Sequence, residues 1–153
     1  MSVHARQDLL DALQELSALN PEMRYGQWIA NLAPAALGGA VEAIWDVEDD
    51  ELLAAAQQPL TYFRATRQES SISPTRRELI QLIGELSTCC DWRFGQLIAN
   101  LATAARLPYE RHGFPEAAYD AEDHELLPAA RNLLEYFRTT RPERTAAAAA
   151  AAS

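Results

Sequence analysis

The chain has 153 residues, of which 48% are hydrophobic, and its 22 acidic and 13 basic residues give a net charge of −9. Such a negative field repels phosphate backbones, so the composition argues against nucleic-acid binding and favours a protein partner with a basic surface. No segment approaches the ~18 consecutive apolar residues of a membrane span. The first residues also lack the apolar core of a signal peptide, so we expect a cytoplasmic protein with no membrane contact.

Several sequence blocks occur twice. Glu15-Leu16-Ser17 recurs as Glu85-Leu86-Ser87, and RYGQWIANL at 24–32 recurs as RFGQLIANL at 93–101. EDDELL at 48–53 and YFRATR at 62–67 recur as EDHELL at 122–127 and YFRTTR at 136–141. The sequence therefore predicts a tandem duplication. One copy occupies residues 1–70, called the first half, and the other occupies residues 71–144, called the second half.

Hydrophobic spacing predicts three helices in each half. Apolar residues recur at steps of three and four in both first helices: Leu9, Leu10, Leu13 and Leu16, then Leu79, Leu82, Ile83 and Leu86. The second helices are predicted over roughly 22–36 and 91–105, and each third helix begins near the acidic block. We expect an all-α fold in which about six helices pack as one pseudo-twofold globule, because isolated units of about 60 residues bury too little surface.

Two features interrupt this pattern. Pro59 lies deep in the third helix of the first half, and it predicts a kink, or a break between helices at 49–57 and 59–67. Residues 145–153 are an alanine-rich tail, which we expect to be disordered or a remnant of expression.

A ladder of polar side chains lies along each second helix at helical spacing. Its members are Arg24, Gln27 and Asn31 in the first half and Arg93, Gln96 and Asn100 in the second. Gly26 and Gly95 lie inside the same helices, where glycine costs roughly 1 kcal/mol relative to alanine. We therefore expect another backbone to cross closely at each glycine.

An acidic cluster precedes each third helix, with Glu48 and Asp49 in the first half and Glu122 and Asp123 in the second. Carboxylates at a helix N-terminus accept hydrogen bonds from free N–H groups, so the cluster is typical of a cap. We predict a structural clamp within each half. In it, Arg24 pairs with Asp49 or Glu48, and Arg93 pairs with Asp123 or Glu122. The alternative is that the same groups line a ligand-binding pocket.

No set of residues points to catalysis or to a cofactor. The acidic clusters lack the glycine and alternating ligands of a calcium loop, and His124 has no counterpart in the first half, so we expect no metal. Cys89 and Cys90 are adjacent, which strains a mutual disulfide, so we expect two reduced, partly buried thiols. His4 and His112 are also unmatched, and no nucleophile lies in a recognisable motif.

The second half gains five residues around 106–115, and this insertion carries Tyr109, His112 and Phe114. Aromatic side chains on a proline-stiffened loop can bind at low entropic cost, so these residues are candidates for contact with a partner. The alternative is that Tyr109 and Phe114 only cover the core.

The motifs RFGQLIANL and E-D-x-E-L-L resemble those of a group of small, uncharacterised bacterial helical proteins. That group carries an R-[FY]-G-Q-[LW]-I-x-N helix and an aromatic-x-x-E-D-[DE]-x-L segment. Each half matches the pattern once, so the resemblance covers most of residues 6–141. It implies the repeat unit and a bacterial source, and it implies no reaction.

Together these observations favour a non-catalytic protein–protein interaction module, an acidic adaptor, accessory or immunity-type protein that is a monomer or a weak dimer. The alternative is a small-molecule-binding or metal-dependent enzyme that uses the polar ladder and the acidic cluster. Open, unpaired ladder residues would favour the enzyme, and mutual pairing would favour the interaction module.

Overall fold

All regular secondary structure in the computed structural model is helical within the residues it describes, 3–106, 117–118 and 120–152. Its elements are α1 Val3–Leu19, α2 Tyr25–Leu37, a short 3-10 helix Val41–Trp45, α3 Asp49–Thr66, α4 Pro74–Cys89, α5 Phe94–Arg106, α6 Asp123–Thr140 and α7 Pro142–Ala152. The predicted all-α class is therefore confirmed. The candidate contact residues Tyr109, His112 and Phe114 lie outside the described residues.

The leucine-rich stripes form the contact between the first and third helix of each half. In α1, Leu9, Leu13 and Leu16 are completely buried, and α1 packs on α3. In the second half, α4 packs on α6 in the same pairing, and it buries Leu79, Ile83 and Leu86. These pairings remove the apolar face of each helix from water, which is the main favourable term for a helix of this length.

The two second helices lie at the centre and contact each other. Both α2 and α5 bury most of their length, and each also packs on the third helix of its own half. Buried residues from both halves belong to one continuous hydrophobic cluster. The N-termini of α2 and α5 are therefore held inside the protein, where their free N–H groups need partners.

The predicted break at Pro59 is wrong. Helix α3 runs without interruption from Asp49 to Thr66, with Pro59 inside it. An interior proline removes one hydrogen bond and costs about 3 kcal/mol. Burial of Leu52, Ala56 and Leu60 on both sides of the proline offsets that cost, because each side chain stays in the core only if the helix continues.

The alanine-rich tail, which the sequence led us to expect as disordered, lies in helix α7. Alanine has the highest helix propensity, and Pro142 occupies the first helical position, where its missing N–H has no cost. The helix packs on α4 and α6, and its own residue Thr145 is buried. Tertiary contact, added to propensity, therefore orders this segment.

No helix among the described residues is both long and apolar enough to cross a bilayer.

Candidate functional site

Asp49 joins three segments of the chain. It is the first residue of α3, and it is completely buried. Its Oδ1 accepts a hydrogen bond from the backbone N–H of Phe94 at 2.9 Å, and its Oδ2 accepts one from Arg6 Nε at 2.6 Å. Asp49 thus caps the N-terminus of α5, a helix of the other half, while its charge is balanced by Arg6.

Asp123 makes the corresponding contacts at the start of α6. Its Oδ1 accepts from the backbone N–H of Tyr25 at 3.0 Å, and its Oδ2 accepts from Arg76 Nε at 2.6 Å. Asp123 therefore caps α2, which again belongs to the opposite half. Each half supplies the cap that the central helix of the other half lacks.

Two arginine–glutamate pairs also join residues of different halves. Arg93 Nε donates to Glu48 Oε1 at 2.6 Å, and Arg24 Nη1 donates to Glu122 Oε1 at 3.4 Å. The hydrogen bond from Arg93 to Glu48 raises the pKa of that arginine. These contacts correct the predicted pairing: the arginines were expected to bind carboxylates of their own half, yet their carboxylate partners in these pairs come from the other half. The reason is that each arginine directly precedes the helix N-terminus that the opposite acidic cluster caps.

The polar ladder does not act as one unit. Gln96 accepts from the backbone N–H of Arg93 at 3.2 Å and donates to Trp45 O at 2.9 Å, so it also bridges the halves. Gln27 accepts from the backbone N–H of Arg24 at 3.4 Å. The asparagines lie apart: Asn31 is exposed, with Nδ2 at 3.9 Å from Met23 Sδ, and Asn100 lines a groove between α5 and α6.

Arg6 and Arg76 are the functional residues that sequence reasoning missed. Arg6 Nη1 donates to Ser87 O and Nη2 donates to Trp92 O, both at 2.6 Å. Arg76 Nη2 donates to Met23 O at 2.5 Å. The two arginines are 70 positions apart, the same offset that relates Glu15 to Glu85, so extending the alignment by nine residues would have found them.

Gly26 and Gly95 each lie close to the backbone of another segment, as predicted from their positions inside helices. A Cβ built on Gly26 would lie 2.6 Å from Ala118 O, and one built on Gly95 would be closer still to Ile44 O. Real Cβ atoms essentially never come so near a carbonyl oxygen. Each glycine therefore permits the segment just before the opposite acidic cluster to cross the central helix.

The two arginine sites differ in how well their polar groups are satisfied. Around Arg6, Nη1 bonds to Ser87 O, and Ser87 Oγ donates to Gly84 O at 2.8 Å. Around Arg76, the buried atoms Arg76 Nη1 and Tyr25 Oη have no hydrogen-bond partner among the described residues. Burial raises the pKa of Tyr25. The counterpart of Tyr25 is Phe94, which brings no hydroxyl into the core.

The contacts at these clusters are structural: they form a joint, that is, a set of hydrogen bonds and ion pairs that holds the two halves together. Each oxygen of Asp49 and Asp123 already accepts a hydrogen bond, and each carboxylate is paired with an arginine. Among the described residues, no three histidine, cysteine, aspartate or glutamate side chains are grouped so as to hold a metal ion. Cys89 and Cys90 are free and buried, and burial raises the pKa of both thiols.

Other surface features lie away from the joint. Tyr62 and Tyr136, at matched positions of α3 and α6, are 62% and 59% exposed. A groove of about 600 Å³ lies between α5 and α6, where Trp92, Leu133 and Tyr136 contribute to its wall. A second groove, of about 630 Å³, lies between α1 and α4.

Comparison with protein families, with curated proteins and with solved structures found no match for the chain.

Proposed function

We propose that this protein is a non-catalytic protein–protein interaction module, an acidic helical adaptor, accessory or immunity-type protein. The observation that carries the proposal is the mutual pairing of the groups that would otherwise form an active site. Both oxygens of Asp49 are engaged by Arg6 and by the Phe94 N–H, inside the core. A carboxylate held in this way links segments of the chain, and its complete burial keeps it out of contact with a substrate.

The enzyme alternative has less support. A pocket built from the ladder and the acidic cluster would need these side chains open to solvent and unpaired. Instead, Asp49 is completely buried, Glu48 is bound to Arg93, and Gln96 bonds two backbone groups. The residues shared by the two halves serve the joint, so specificity is expected in the residues they do not share.

The charge supports a basic partner. The first half holds four arginines against 11 acidic residues, a net charge of −7, while the whole chain carries −9. Such a field speeds encounter with a basic protein surface and disfavours nucleic acid. We place the protein in the cytoplasm, acting as a monomer or weak dimer.

The chain is also proposed to be a tandem duplication with a pseudo-twofold axis. The support lies in matched contacts: Asp49 and Asp123, Arg6 and Arg76, and Gly26 and Gly95 make corresponding interactions. The resemblance to small bacterial helical proteins remains a prediction alongside it. Single-copy relatives would be expected to form the same joint as homodimers.

Co-purification from the native host tests the function. The tagged protein is recovered under mild conditions, and retained proteins and metabolites are both identified by mass spectrometry. We expect a stoichiometric protein partner whose recovery falls when Tyr109→Ala and Phe114→Ala are introduced together. The matched control is the exposed tyrosine variant Tyr62→Ala. A retained metabolite with no protein partner would overturn the proposal.

A further inference from the structure

The groove between α1 and α4 combines an acidic rim with an apolar floor. Ala18, Ile72 and Ile80, all half-buried, give it apolar surface. One wall is the helix-free linker 67–73, which is fixed to α1 by a hydrogen bond from Ser70 N to Ala18 O at 2.8 Å. The volume of about 630 Å³ is enough for several side chains of a bound segment.

The rim carries more negative than positive charge. Asp11, Glu15 and Glu69 line the groove, and among the described residues Arg77 is the one cation that lines it. Arg64 occupies both oxygens of Glu15 at 2.6 and 2.7 Å. Asp11 and Glu69 are exposed, and they provide the carboxylates that a positively charged ligand can reach.

Among the described residues, the corresponding surface of the second half differs from this groove. The counterpart of Asp11 is Gln81, which is uncharged. The chain also continues differently after each third helix: Gln68 lies in the extended linker 67–73, whereas its counterpart Pro142 begins α7. Consequently α4 packs on both α6 and α7, whereas α1 packs on α3 and keeps an accessible face towards the groove.

We propose that this groove docks a basic segment of the partner protein, one that places an arginine or lysine next to an aliphatic residue. The inference rests on the proposed function and names the surface that performs it. The cationic head would pair with Asp11 and Glu69, while its methylene stem and the aliphatic neighbour would pack on Ile72 and Ile80. Charge complementarity between an acidic rim and a basic segment would also steer the encounter.

A defined peptide tests the groove directly. A short fluorescent peptide in which arginine alternates with leucine is titrated with the full chain, and fluorescence anisotropy gives its Kd at low and high ionic strength. We expect binding that weakens as salt rises. The double variant Asp11→Asn with Glu69→Gln should weaken it roughly tenfold, as expected for two partly exposed charge pairs. Ile80→Ser should also raise the Kd of the peptide, because it removes apolar surface from the groove.

The matched control neutralises two exposed first-half carboxylates that do not line the groove, Glu42→Gln with Asp50→Asn. It should leave the Kd unchanged, and both double charge variants should retain the wild-type melting temperature. Equal weakening by the control variant would mean that the peptide senses only net charge, and the proposal would be wrong. The proposal also fails if the peptide does not bind, or if spermidine binds as tightly as the peptide.

Repeating the host co-purification with the Asp11→Asn, Glu69→Gln variant separates the two proposals. Loss of the protein partner from this variant, with the partner retained by the Glu42→Gln, Asp50→Asn control, supports the groove. A partner that the variant retains as well as wild type overturns the groove and leaves the proposed function standing. A wild-type chain that retains only a metabolite overturns the proposed function itself.

Discussion

In each half one aspartate, completely buried Asp49 or half-buried Asp123, makes the contacts that the sequence led us to expect from the polar ladder. Asp49 holds an arginine of its own half and the first N–H of a helix in the other half. The sequence predicted that acidic residues here would cap a helix. It could not say that Asp49 would cap α5, because a cap reached through space leaves no local spacing to detect.

The first prediction concerns the charge of this carboxylate. Asp49→Asn should lower the free energy of unfolding by about 3–5 kcal/mol, because the half-hidden guanidinium of Arg6 would lose its counter-charge. Urea denaturation measures the change. Asp50→Asn, one residue away and exposed, is the matched control, and it should change stability by no more than about 0.5 kcal/mol. Equal losses from both variants would contradict a buried joint.

The second prediction uses the difference in hydrogen bonding between the sites around Arg6 and Arg76. Tyr25→Phe removes a buried hydroxyl that has no hydrogen-bond partner among the described residues, so it should leave stability unchanged or raise it by about 1 kcal/mol. The reverse change, Phe94→Tyr, should destabilise by about 1–3 kcal/mol, because it buries a new hydroxyl beside a satisfied site. Thermal unfolding of both variants decides the question. A lower melting temperature for Tyr25→Phe would show that its hydroxyl is engaged.

The third prediction concerns Cys89 and Cys90. Because burial raises the pKa of both thiols, little thiolate is present at neutral pH, and both should react slowly with iodoacetamide in the native protein. Denaturant should expose both to rapid labelling, which mass spectrometry would count. Rapid labelling of the native chain would instead indicate a reactive, accessible pair.

At the scale of elements, hydrophobic periodicity predicted the helices reliably, whereas a single proline did not predict where a helix ends. The stripes through Leu9 and Leu79 correctly predicted helices, because their burial depends only on local spacing. The break predicted at Pro59 does not occur, since packing on both sides of the proline outweighs the local preference. Tertiary contacts of this kind cannot be deduced from one segment alone.

The fourth prediction compares glycines within helices. Gly26→Ala and Gly95→Ala should each lower stability by more than about 2 kcal/mol, because the added Cβ would strike a backbone carbonyl that has little room to move. Gly84→Ala is the matched control: it lies inside α4, and an added Cβ there meets nothing within 4 Å. That variant should gain about 1 kcal/mol from helix propensity. Similar effects at all three sites would disprove the close crossing.

At the scale of the whole molecule, the two halves are joined by contacts that each half supplies to the other. Each central helix takes its cap from the other half, and the arginine pairs follow the same rule. The sequence could not distinguish this arrangement from pairing within a half, because both acidic clusters carry nearly the same motif and either would satisfy either arginine. Only the packing of α2 against α5 selects the crossed partners.

The fifth prediction tests these contacts. A protease site inserted in the linker 67–73 should be cleaved without separating the two halves, which should elute together in size-exclusion chromatography with their mass confirmed by light scattering. The same site in a chain that also carries Asp49→Asn and Asp123→Asn should release separate fragments after cleavage, because both caps have lost their charge. Separation of the otherwise unaltered halves would show that the joint depends on the covalent linker.

The crossed caps also set an order of events during protein synthesis. The carboxylate that caps the Tyr25 N–H is 98 residues further along the chain. While the ribosome is still translating the second half, the Tyr25 N–H at the start of α2 lacks this carboxylate partner. The first half therefore reaches its final form only when α6 has left the exit tunnel, so pauses in translation between the halves should lower the yield of folded protein.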